Sequence, residues 1–128
     1  MLKIKFGVLL LVLISFTKVN AQSNNNVIGT WVRYSHQKVA EVFIQNPDHG
    51  FISNLFDEKG MITGIEKGAW KVTGDTISFT FLYAIELKDG GKYTLKTQNE
   101  LKSVSYPFAI KSGDLMIIGK DNRYYRQK

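Results

Sequence analysis

The chain of 128 residues contains no cysteine, only two prolines and only two histidines. Without cysteine, disulfide frameworks, thiol nucleophiles, iron-sulfur clusters and Cys-based zinc sites are all excluded. Any stability must come from packing. Two histidines, His36 and His49, both fall in expected connections, and zinc normally recruits three or four ligands. A site shared with Asp48 is the one metal arrangement they leave, and no metal is expected. Runs of basic residues are also missing. The charges are scattered singly or in pairs, as on solvated strand faces, and nothing resembles the basic track that follows a phosphate backbone. Nucleic acid is therefore not an expected partner.

The one long apolar run lies at the start. Lys3 and Lys5 precede Phe6 to Phe16, and Val19-Asn20-Ala21 follows with the spacing of a secretory cleavage site. The expected organisation is a signal peptide over residues 1–21, a polar leader over 22–26 and one domain over 27–128. The apolar segment is short of the about 20 residues that a membrane-spanning helix needs. Export to the periplasm or exterior, with no membrane span after cleavage, is the resulting expectation. Cleavage after Ala21 removes three lysines, so the balance falls from +6 to fourteen basic against eleven acidic residues, or +3. The remaining 107 residues suffice for a single core.

What the domain does contain is alternation. Nine short runs are separated by turn signals: 28–35, 39–45, 51–56, 61–73, 76–87, 92–97, 101–110, 115–119 and 123–127. Asn46-Pro47-Asp48-His49-Gly50, Gly74-Asp75 and Asp89-Gly90-Gly91 are the clearest turns. In 61–73, Gly64 and Gly68 predict a bend or bulge, and Pro107 predicts an edge or a bulge in 101–110. No window holds a helical period. The expected fold is all-β, an up-and-down antiparallel barrel of eight to nine strands.

Two Gly-x-Trp tripeptides, Gly29-Thr30-Trp31 and Gly68-Ala69-Trp70, sit at strand ends. A Trp buries much apolar area for little entropy, and the glycine two residues earlier admits a close neighbour. Together with Gly74-Asp75-Thr76-Ile77-Ser78-Phe79 and the closing Arg123-Tyr124-Tyr125-Arg126, they make the chain resemble the lipocalin-like domains of small bacterial exported proteins. The resemblance implies a calycin-type barrel closed at one end, with Gly29, Trp31 and Arg126 as the closure and Arg126 stacked on the indole. The long loop and flanking helix of the large lipocalins are not recognisable.

A barrel of about eight strands is either filled by side chains or holds one small ligand. Phe43, Phe51, Trp70, Phe79, Phe81, Tyr83, Tyr93, Tyr106 and Phe108 are the expected interior aromatics. Arg33 shares the face of Trp31 by simple alternation. It would either meet a ligand anion, with Tyr106 opposite, or be returned to solvent by a bulge, or be paired by Glu41 or Glu66. Asp57 and Glu58 occupy neighbouring turn positions and so point apart. No nucleophile, base and orienting group come together, and no cofactor motif occurs. The expected function is non-catalytic binding of a small apolar or amphipathic molecule at the open end. The alternative is an interaction or inhibitor module with a filled core that meets an envelope protein through its loops or an edge strand.

Overall fold

The computed structural model describes residues 26–88 and 91–128. The expected signal peptide, leader residues 22–25 and Asp89-Gly90 of the expected hairpin turn lie outside the described residues. Nine strands follow in order: β1 (Gly29–Ser35), β2 (Lys38–Gln45), β3 (Gly50–Phe56), β4 (Ile62–Thr73), β5 (Thr76–Leu87), β6 (Tyr93–Thr97), β7 (Val104–Lys111), β8 (Leu115–Ile118) and β9 (Asn122–Arg126). All pairings are antiparallel, in the order β4-β3-β2-β1-β9-β8-β7-β5, and β5 pairs back onto β4. The result is a closed eight-stranded barrel of calycin-like form, with β6 as a ninth strand appended to β5.

The turns follow from local chemistry. Pro47 and Asp48 start the β2–β3 connection, where the Gly50 amide donates to Asp48 Oδ1 at 2.9 Å. The β1–β2 connection is a two-residue turn in which both His36 (φ 51°) and Gln37 (φ 67°) are left-handed. That conformation is the one Asn-Gly normally occupies, so this turn is under strain. Pro107 sits where β7 changes partners, since Val104–Pro107 pairs with β5 and Phe108–Lys111 with β8. Its missing N–H falls at the handover.

The glycines of both tripeptides permit close approach. A Cβ on Gly29 (φ 136°) would lie 2.8 Å from Arg126 Nη1, and one on Gly68 would overlap the Thr80 carbonyl and lie 2.9 Å from Phe81 Cα. At Gly68 the β4–β5 register slips. Gly68 is opposite Phe81 and Lys67 is opposite Tyr83, which leaves Leu82 as the extra residue of a bulge.

The base of the barrel is packed solid. Trp31, Trp70, Ile77 and Met116 are fully or almost fully buried. The Val27 carbonyl accepts from Trp31 Nε1 at 2.9 Å and from Gln45 Nε2 at 2.6 Å. Arg126 stands directly opposite Trp31 across the β1–β9 pair, with its guanidinium carbon 4.3 Å from the ring centroid. Its three nitrogens donate to the carbonyls of Gly113, Ile28 and Asn26 at 2.8, 2.8 and 2.6 Å. One side chain thus ties the segment before β1 and the end of β9 to the β7–β8 loop.

Candidate functional site

Above this base, Phe43, Phe51 and Phe79 form an aromatic floor with ring centroids 5.3 to 5.7 Å apart. These positions face inward because strand alternation from Trp31, Gln45 and Trp70 places them there. Phe81 contacts Phe51 at 5.8 Å and Tyr124 contacts Phe43 at 5.7 Å, extending the aromatic surface upward. Over the floor lies a cavity of about 190 Å³. Leu55, Val104 and Ile118 complete its apolar wall, and Glu41, Glu66, Tyr106, Asn122 and Tyr124 supply polar groups. Tyr106 and Asn122 are exposed, so solvent reaches it.

The polar side centres on Glu41, which is 7% exposed. Its Oε1 accepts from Arg33 Nε at 3.1 Å and from the Tyr124 hydroxyl at 2.8 Å, and its Oε2 accepts from Ser53 Oγ at 2.5 Å. Three donors converge because Arg33 is the register partner of Glu41, while Ser53 and Tyr124 occupy inward positions on β3 and β9. Burial, and then the charge and hydrogen bond of Glu41, push the Tyr124 phenol above the ordinary tyrosine range. Burial alone would lower Arg33, but the hydrogen bond and charge of Glu41 more than offset it and hold the guanidinium above its usual value. Glu66 is different. Burial first, and the charge of Glu41 second, raise its carboxyl above the usual carboxylate range, and among the described residues it makes no hydrogen bond or ion pair.

A second hollow, of about 420 Å³, lies against β4, β5 and β6 and shares Leu55 and Glu66 with the first. Glu66 therefore stands where the two meet.

Of the residues expected inside, Phe43, Phe51, Phe79, Phe81 and Tyr106 line the cavity. Trp70 does not, because it belongs to the base. Its indole is covered by the His49 ring, stacked at 4.4 Å and 17°, and its Nε1 donates to the Asn46 carbonyl at 3.1 Å. Phe108 packs against the core below the cavity. Tyr83 lies beyond the Leu82 bulge, which reverses the alternation, and Tyr93 is 68% exposed on β6. Arg33 turns its charge to Glu41 rather than standing free. Sequence reasoning named Glu41 and Glu66 only as partners for Arg33 and missed Ser53, Tyr124 and Asn122. Counting back from Phe43 in steps of two reaches Glu41, and from Trp70 reaches Glu66. A carboxylate in phase with core aromatics was the available signal.

Among the described residues, no group of three or more His, Asp or Glu side chains is arranged to hold a metal ion. Comparison with family models, curated proteins and solved structures finds no match for this chain.

Proposed function

We propose that this chain is an exported, lipocalin-like binding module that takes a small amphipathic molecule into the upper part of its barrel without transforming it. The observation that carries this reading is the cavity of about 190 Å³ between an aromatic floor and a polar rim. An apolar cavity of about 150 Å³ accommodates benzene, so the space suits a single-ring molecule with a short polar extension. The arrangement matches the usual pattern of ligand pockets, in which apolar walls supply affinity and a few polar groups fix orientation. Glu41 is already engaged by three donors, which suits a positioning scaffold better than a proton shuttle.

Native mass spectrometry of protein purified from its own host, together with thermal melts against small single-ring compounds, tests this reading. A carried molecule, or a melting point that rises with ligand concentration, supports it. An empty protein whose melting point no such compound moves refutes it. The export component is tested by N-terminal sequencing of the envelope fraction, where the chain should begin at Gln22.

One observation favours the interaction reading instead. All five residues of β6 are exposed, with Tyr93 at 68% and Leu95 at 49%, and such an edge can accept another strand. An envelope partner retained by the parent but lost by Leu95→Lys would support it. Equal retention by both would refute it.

A further inference from the structure

The polar groups around the cavity do not balance in charge. Arg33 and Glu41 neutralise one another at 3.1 Å, and the remaining acceptor positions of Glu41 are filled by Ser53 and Tyr124. Tyr106 and Asn122 are neutral. Glu66 adds a second carboxylate, projecting where the two hollows meet, with no donor among the described residues. A carboxylate taken partly out of water is costly unless something donates to it. Aromatic faces beside it, those of Phe51, Phe79 and Phe81, carry the negative quadrupole that attracts cations.

We infer that the cavity is selective for a small organic monocation, a protonated amine on an apolar single-ring body, with Glu66 as the ammonium acceptor. This deepens the binding reading above and rests on it. The ring lies on the aromatic floor and the ammonium donates to Glu66, restoring neutrality inside the barrel. An anionic ligand meets two carboxylates instead, because Arg33, the cation beside the cavity, is already held by Glu41. Glu66 must be ionised to serve, and its own surroundings make that harder: burial and the charge of Glu41 both favour the protonated form. Amine affinity therefore rises with pH through the titration of Glu66.

The groups that face Glu66 from neighbouring elements are few. On β3 its register partner is the neutral Ser53, and on β5 it is Ala84, with the exposed Glu86 two residues further on. Glu41, Tyr106 and Tyr124 line the cavity with it, and Arg33 is held by Glu41. Lys96 of β6 lies opposite Ala84, two strands away, and lines the second hollow without forming an ion pair with Glu66. As an exposed cation lining the same hollow as Glu66, Lys96 competes with a bound ammonium.

Calorimetry with phenethylamine, phenethyl alcohol and phenylacetate, which differ mainly in charge, tests the inference on the full mature protein. A hydrogen bond to a charged group contributes about 1.5 to 3 kcal/mol, so the amine should bind about ten- to a hundredfold more tightly than the alcohol, with the acid weakest. Glu66→Gln should abolish the preference while leaving alcohol affinity intact. Lys96→Gln should strengthen amine binding. Equal affinities for amine and alcohol, or a preference that survives Glu66→Gln, overturn the cation inference while leaving the small-molecule reading in place. Binding of none of the three overturns both.

Discussion

Arg126→Ala should cost about 3 kcal/mol, although the residue is the last of β9. The guanidinium donates to three carbonyls that belong to Gly113, Ile28 and Asn26. At about 1 kcal/mol net for each bond, these contribute about 3 kcal/mol. The indole contact at 4.3 Å adds about 1 kcal/mol, since Arg126 is only partly buried although Trp31 is fully so. Release of a long ordered side chain returns up to about 2 kcal/mol of entropy in the variant, and water partly re-satisfies the exposed carbonyls. The entropy term therefore trims the sum but does not cancel it. For a domain of this size the loss corresponds to roughly 10 to 20 °C in melting temperature. Far-UV circular dichroism is the suitable probe, because it does not depend on Trp31. A cycle with Trp31→Phe, which keeps a ring but loses the indole and its bond to the Val27 carbonyl, should show coupling of about 1 kcal/mol. A loss below about 1 kcal/mol for Arg126→Ala, or strictly additive costs in the cycle, would falsify the latch.

Three further outcomes follow from particular contacts. Gly68→Ala should destabilise by about 3 kcal/mol or more in denaturant titrations, because its Cβ would strike the β5 backbone, whereas Gly60→Ala has open space and loses only about 1 kcal/mol through its φ of 80°. Gln37→Gly should raise stability by about 1 kcal/mol by relieving a left-handed residue in the β1–β2 turn, and an unchanged denaturation midpoint would refute the strain. The raised carboxyl of Glu66 makes its contribution to stability greatest below the ordinary Glu value and lost as pH climbs through the raised one. Melting temperatures of the parent minus those of Glu66→Gln should therefore fall as pH rises across that window, and a flat difference would refute the shift.

Strand positions were readable from the chain because each run ends in residues with a strong turn preference. The limits of 76–87 were placed without error, and the other strands moved by three residues at most. The two Gly-x-Trp tripeptides were readable for the same local reason, since a glycine in phase with a buried Trp marks close approach. Facing was readable only as far as the alternation ran unbroken. From Ile77 to Phe81 each inward assignment was correct, and at Leu82 one extra residue turned Tyr83 outward. Nothing in Phe81-Leu82-Tyr83 announces that bulge, because it is imposed by the bend at Gly68 on the opposite strand. Trp70 failed differently. Its cover, His49, comes from a loop whose left-handed φ of 70° brings the ring onto the indole, a tertiary contact that no period encodes.

The question of a filled or an open lumen has one answer for each level of the barrel, and the two are linked. Bulky side chains, two tryptophans among them, fill the base, and there the polar atoms of both indoles are satisfied by backbone carbonyls. That leaves the base, among the described residues, with no charged group facing inward apart from the Arg126 latch. The charged side chains on the inward register, Arg33, Glu41 and Glu66, are thereby confined to the upper level, above rings that keep water from their lower side. The same phenylalanines that make the core solid also lower the local dielectric under Glu66 and raise the free energy of its unpaired charge. Packing at one end thus creates the demand for a donor at the other, and a site of this kind gains its selectivity from the core beneath it rather than from its loops.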